Sequence, residues 1–474
     1  MAEEKATLLN GNAQVTDDGV YVFPVDLTLT GDDIQGIIQY HESKPHEKFK
    51  KAMRYYKGHQ AIADLDKRPG FRPDNRLMIN YAAYNVDTFN GFFAGIPPKI
   101  SLDDPKANTE LQDWHNSDDF VDQFSELSKQ ADIYGRSYLL VYQNEDGDTR
   151  TAVVNPERAF MIYDDTVARH TLAFVSYAYD DQALLTGTVY TKEGAYQFKG
   201  NVSLDETRLT VSIYDQVPAV EFVENEERHG INDNVMSLLD ALNKAQSQKA
   251  NQVEYFDNAY LKILGINLDA DGDGKPDLEL DGSQVFYSPD ADATSATVDF
   301  ISKPDGDAMQ EHHIDRLIEQ IHQIAMVPNM NDEAFSGNSS GVALEYKLLP
   351  MRNKAVTKAR KFTPALRRVY SIVFGQATNV LTNPDAWKDL KFQFSQNVPH
   401  NLADEAETAK NLVGIASTET ILSTLSVVDD PQAEMKRLDD EKQQSASVSL
   451  AAMQNAIGAT TDAQKAGVGN GEED

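Results

Sequence analysis

The chain has 474 residues, enough for two or three domains of ordinary size, and its 41% apolar and 25% charged content excludes wholesale disorder. Its 75 acidic residues against 43 Lys and Arg leave a formal net charge of −32, the reverse of the balance in a static DNA-binding domain. Cysteine is absent, which excludes structural disulfides, thiolate metal sites and cysteine nucleophiles.

Residues 1–30 are polar and are expected to form a flexible N-terminal segment. The opening MAEEKATLLNGNAQV has acids and no apolar core, so no signal peptide is expected. No apolar run of about 18 residues occurs, so no membrane-spanning helix is expected. The spacing of Ile34, Ile37, Ile38 and Tyr40 predicts a helix over 31–57, ended by Gly58. RLMINYAAYNVDTFNGFFAG (76–95) predicts another, broken by Gly91 and Gly95. A third is predicted over 120–135, with Phe120, Phe124, Leu127 and Ala131 on one side. SYLLVYQ, EDGD and RTAVVNP then read as a hairpin. Strand patterns continue through AFMIYDD, TLAFVSYAYD, TGTVYTK, AYQFKG and RLTVSIYD. The region to residue 232 therefore reads as α+β with an antiparallel sheet.

From Asp233 the pattern turns helical for about thirty residues, roughly 45 Å. Val235, Leu239, Leu242, Val253, Phe256, Tyr260 and Ile263 share one side, and Asn, Gln, Ser and Lys fill the other. An acidic, loop-rich stretch with short strands SQVFYSP and ATVDFIS follows. DAMQEHHIDRLIEQIHQIAM is a second helix, stopped by Pro328. A long helix is expected from about 341 to 380, kinked or broken at Pro350 and Pro364. KFQFSQN alternates like a strand, and 402–457 is helical with a break at DDP. The tail from 458 is low-complexity and reads as disordered.

Four candidate sites emerge. EAFSGNSSGVALEYKLL (333–349) contains G-x-S-x-G with Ser339 central. A nucleophile elbow needs an apolar strand feeding the turn. MVPNMNDEAF is polar, and nothing marks Asp385 and His400 as its partners, so no catalytic residue and no enzyme activity is assigned. No Walker A string occurs. In LDADGDGKPDLEL, Asp269, Asp271, Asp273, Gly274 and Asp277 fall at positions 1, 3, 5, 6 and 9 of an EF-hand-type loop. Position 12 is Leu280, one residue out of register with Glu279 and Asp281. The stretch is thus either a calcium loop or a solvated acidic hairpin turn. No other cofactor is implied. His312, His313 and His322 have no tidy facial spacing for a metal and read as solvated or interface residues. Between Gly341 and Tyr370 lie eight Lys and Arg and one acid, Glu345, a local charge of +7. Lys347, Lys354, Lys358, Lys361 and Arg368 fall on a stripe about 80° wide. It faces either a phosphate backbone or acidic surface of the same or a neighbouring subunit.

Several strings, in this order, resemble one family. They are YYKGHQAI (55–62), NRLMINYAAYNVDTFNGFFAGIP (75–97), DIYGRSYLLVY (132–142), VPAVEFVENEERHG (217–230), NDEAFSGNSSGVALEYKL (331–348) and GIASTETILSTLSVVDDPQAEMKRLDDE (414–441). They are similar to the portal proteins, or head-to-tail connectors, of tailed double-stranded DNA phages that infect Gram-positive bacteria.

The resemblance implies a dodecameric ring around a channel. It makes 31–232 a wing, 233–263 and 308–327 the two stem helices, and 264–307 the clip. Residues 328–341 would be a tunnel loop, 342–401 the kinked helix and a wing return strand, and 402–457 a crown. The loop would present Asn329, Asn331, Asp332, Glu333, Ser336, Gly337, Asn338, Ser339, Ser340 and Gly341 to DNA. The implied partners are other copies of the chain, double-stranded DNA, the terminase large subunit, head-completion or adaptor proteins, and major capsid and scaffolding proteins. No membrane is involved. The implied location is the capsid portal vertex of the virion, and the host cytoplasm during assembly. An alternative is a non-portal oligomeric structural protein of the virion. Glycine and serine permit many backbone states in 336–341, and an acidic lumen with short polar loops would let a duplex slide, since each neutralised phosphate adds affinity. The polar side of the stem would then face a wet channel.

Overall fold

The computed structural model describes residues 7–445 apart from 10, 67–72, 206, 208, 258–260, 267–284, 289–296, 301–306, 331–340, 376–377, 379, 398–401, 426 and 429. Two compact units divide the chain, residues 1–396 and 397–474. Helices and strands both contribute, and the fold is α+β.

Three short strands open the chain: β1 (Thr7–Leu8), β2 (Gln14–Val15) and β3 (Tyr21–Phe23). They correct the expectation of a flexible N-terminal segment. Tyr21, Val22 and Phe23 are buried, and β3 joins the main sheet. Ala13 and Val15 are buried in the same core. Helix α1 (Gly31–Ser43) follows, capped by Thr30, whose side chain accepts from Asp33 N while Asp33 accepts from Thr30 N. The predicted 31–57 helix is two helices, because α2 (Pro45–Tyr56) starts afresh. The residue before a proline is pushed out of the helical region, and Lys44 sits at φ −135°.

Helix α3 (Tyr81–Ala94), β4 (Lys99–Ser101), α4 (Pro105–Ser117) and α5 (Phe120–Tyr134) come next. Helix α4 has only Leu111 and Trp114 as buried apolar residues, too sparse a pattern to announce it from sequence. Helix α5 ends at Gly135, where φ is +83° and an added Cβ would lie 2.0 Å from the Arg228 carbonyl oxygen. Only glycine makes that turn without displacing the chain.

The strands β5 (Arg136–Gln143), β6 (Thr149–Val154), β7 (Ala159–Asp164), β8 (Thr171–Tyr179), β9 (Leu185–Tyr190), β10 (Gly194–Lys199), β11 (Leu209–Val211) and β12 (Ala219–Val223) match the predicted run. They form two sheets, of order β1-β2-β3-β7-β8-β9-β10-β11 and β12-β5-β6. The pairing is antiparallel except between β3 and β7, which run parallel. Ile34, Ile37 and Ile38 of α1 pack on Phe23, Phe160, Ile162, Val175 and Val189 of the larger sheet.

Helix α6 (Met236–Asp257) is shorter than the predicted 233–263 helix. Residues Leu261–Leu264 are instead strand β13, paired parallel with β14 (Val285–Ser288) and antiparallel with β15 (Thr297–Phe300). Lys262 aside, that run is all branched aliphatic, and two strands compete for its backbone. Helix α7 (Asp307–Ala325) precedes α8 (Gly341–Val373). Helix α8 runs through Pro350 and Pro364 as one continuous helix, so of the expected kink or break the break does not occur. Strand β16 (Lys391–Gln393) pairs with β4. In the second unit, α9 (Leu402–Leu412), α10 (Thr418–Ser423) and α11 (431–445) are helical. Among the described residues no helix is long and apolar enough to cross a membrane.

Candidate functional site

The segment of interest leaves α7 at Ala325. Met326 takes a left-handed conformation, φ +59°, and turns the chain. Two side chains then fix residues 327–330. His322 Nδ1 donates to the Val327 carbonyl at 3.0 Å. The Tyr84 hydroxyl donates to the Pro328 carbonyl at 3.3 Å and accepts from Met330 N at 2.8 Å. Tyr81 and Tyr84 meet the His322 ring edge-on, with centroids 5.3 and 5.5 Å away. Burial lowers the His322 pKa, against the donated bond that raises it, so the ring stays neutral between the two phenols. Of the three histidines, His312 and His313 are exposed, whereas His322 is buried rather than solvated.

Asn329 is half-buried. Asn331, Asp332, Glu333, Ser336, Gly337, Asn338, Ser339 and Ser340 lie outside the described residues, and Gly341 is the first residue of α8. Asp269, Asp271, Asp273 and Asp277 also lie outside them. So does His400, while Asp385 pairs with Lys388 at 2.6 Å.

The basic stripe does not form one outward face. Lys358 is fully buried against acids of its own chain, so for this lysine the reading of ion pairing within the same subunit holds and a DNA-facing or intersubunit role does not. Its ammonium lies 2.6 Å from Asp132 Oδ1 and 3.1 Å from Glu224 Oε2, and donates to the Ser128 carbonyl at 3.1 Å. The rings of Phe93, Phe89 and Phe362 surround it, the nearest centroid 4.9 Å away. Burial pushes the Asp132 carboxyl up, Lys358 pulls it back, and Glu224 raises it further. Lys354 donates to the Ala325 carbonyl at 3.4 Å, so α8 caps the last turn of α7. Burial lowers the Lys354 pKa, opposed by Glu224 and Asp132. Lys361 pairs with Glu226. Arg368 loses hydration to burial and its pKa falls. Lys347 is half-buried.

Asp132 of α5 apart, the acidic partners come from one stretch, VEFVENEER (220–228). Glu224 meets Lys358 and Glu226 meets Lys361, while Glu221 sits 3.4 Å from Arg136 and 3.1 Å from Arg228. Burial alone would raise Glu221, but Arg228 and Arg136 outweigh it and hold the carboxylate below its usual range. The signal was present in the sequence as carboxylates set among apolar strand residues.

The polar side of α6 is also partly internal. Asn243, Ser247 and Asn251 are buried and spaced by four residues, so they line one side of the helix. They accept from Ile79 N at 2.9 Å, Leu77 N at 2.8 Å and Asn75 N at 2.6 Å. Alternate amides of an extended segment thus climb the helix one turn at a time. This corrects the expectation that the whole polar side faces water.

Residues 35–448 match the family described as phage portal protein, SPP1 Gp6-like. The chain belongs to that family of phage portal proteins. It is similar to the portal protein of Bacillus phage SPP1, 24% identical over 428 residues that cover 83% of this chain and 81% of the relative. It is also similar to the portal protein of Clostridium phage phiCD119, 22% identical over 413 residues covering 82% and 90%. The portal family supplies the head-to-tail connector of the phage particle, and all the buried charges described above fall within the matched range.

Proposed function

We propose that the chain assembles into a dodecameric ring at one capsid vertex, with an axial channel through which double-stranded DNA enters the head and later leaves it. The portal-family match over residues 35–448 is the observation that carries this reading. The ring docks the terminase large subunit during packaging and head-completion or adaptor proteins afterwards, and it contacts major capsid and scaffolding proteins during assembly. Helices α6 and α7 are the stem, β13–β15 belong to the clip, and 402–445 to the crown.

Residues 328–341 are the DNA-facing loop. In support, residues 327–330 are held by Tyr84 and His322, Lys354 caps the last turn of α7, and α8 begins at Gly341. With Lys358 and Lys361 engaged by carboxylates, the α8 cations nearest the core are not available to hold phosphate. A net charge of −32 then favours passage over retention. Mass photometry of the purified chain tests the assembly: a discrete species of twelve 52.7 kDa chains is expected. A monomer at every concentration, also in the presence of scaffolding protein, would rule the proposal out.

A further inference from the structure

Helix α8 carries two rows of side chains on opposite sides. Leu348, Met351, Ala355, Lys358 and Phe362 recur every three or four residues and are buried in the chain's own core. Tyr346, Leu349, Asn353, Val356 and Arg360 recur at the same spacing, and at about 100° per residue they lie roughly 200° away. All five are exposed, with Tyr346 72%, Leu349 45% and Val356 41% open to solvent. A helix with one apolar side needs one neighbour, whereas apolar residues on both sides call for a second. The three-four spacing of the outer row is the one that seats another helix. Arg360, at its end, has no ion-pair partner among the described residues.

We propose that this outer row docks on the exposed side of α7 in the next copy of the chain. The inference rests on the ring proposed above. A ring needs a head-to-tail contact between two different patches on the same chain. Helix α7 supplies the complement to α8. Its exposed side carries Ile324 and Met309, and Asp315 and Glu319 flank Arg316 and leave that stretch net negative. Most α8 cations are buried or paired within their own chain, but Arg360 on the outer row is exposed and unpaired among the described residues, so the exposed acids Asp315 and Glu319 of another copy attract it.

The chain has no cysteine, so single cysteines report contacts cleanly. Chains carrying Val356→Cys and chains carrying Ile324→Cys are co-expressed, assembled and treated with a short bis-maleimide. A cross-linked heterodimer is expected from the mixture and not from either variant alone. In parallel, Leu349→Asp/Val356→Asp should lose the ring and remain a folded monomer with an unchanged circular dichroism spectrum, since both side chains are exposed. If wild type forms rings while the mixture fails to cross-link and the double variant still closes, this contact is wrong and the ring stands. If wild type never forms rings, the ring proposal falls and this contact with it.

Discussion

Replacing Lys358 by methionine is the sharpest test of the buried charge cluster. Asp132, Glu224, Lys354 and Lys358 together are neutral when ionised, and Asp132, Glu224 and Lys358 are essentially inaccessible to water. The variant leaves two carboxylates facing one half-buried ammonium, an excess of one negative charge inside the core. Breaking a buried pair in this way costs about 3–5 kcal/mol. The loss should depend on pH. Asp132 already has a raised pKa, so in the variant the folded state binds a proton that the unfolded state releases. Stability lost at neutral pH is therefore recovered as pH falls, by up to about 1.4 kcal/mol per pH unit. Lys358→Met/Asp132→Asn restores neutrality and should recover most of the loss at pH 7. The assay is the urea midpoint of the first unit at pH 7 and pH 5. Trp114 fluorescence serves as the probe, since its ring is buried and lies 6.0 Å from Tyr370 of the same helix α8. A Lys358→Met cost below about 1 kcal/mol, or the same cost at both pH values, would refute the reasoning.

Four further outcomes are expected. His41 and His115 are held neutral, to about 3, chiefly by burial; each should destabilise the fold as pH falls below about 6.5, by about 2 kcal/mol at pH 5, and thermal midpoints of His115→Gln should show a shallower pH dependence than wild type. Phe362→Ala opens a cavity between Phe93, Phe124 and Phe222 and should cost about 3–5 kcal/mol by urea titration. Asn243→Ala leaves the half-buried amide of Ile79 without its acceptor and should cost about 1 kcal/mol, read as faster hydrogen exchange at Ile79. Pro350→Ala in α8 should change the length of packaged DNA, measured by field-inversion gels, on the proposal that α8 passes the position of the DNA-facing loop to the wing, residues 31–232; unchanged length in normally assembled heads would show that it does not.

Elements with a strong period were legible in the sequence, and elements held by partners were not. The strands from Arg136 to Val223 announce themselves as short Val-, Tyr- and Phe-rich runs between turn residues, and β5 and β7 are buried on both faces. Helix α6 was legible only up to Asp257, since β13 is decided by its two strand partners. The N-terminal strands are two or three residues long and owe their existence to β7. The basic stripe on α8 was visible, but not which side of the helix it lay on. Lysines and apolar residues share the inner row there, and only the carboxylates of α5 and of residues 221–226 make that possible. The polar side of α6 misled for a similar reason: Asn243, Ser247 and Asn251 meet backbone amides rather than water.

The most direct measurement is end-on cryo-electron microscopy of the purified assembly. The proposed function predicts a closed ring whose axial hole admits a B-form duplex, with residues 328–341 of every copy at the narrowest point. A solid particle, or a ring with α8 and these residues on its outer rim, would contradict it.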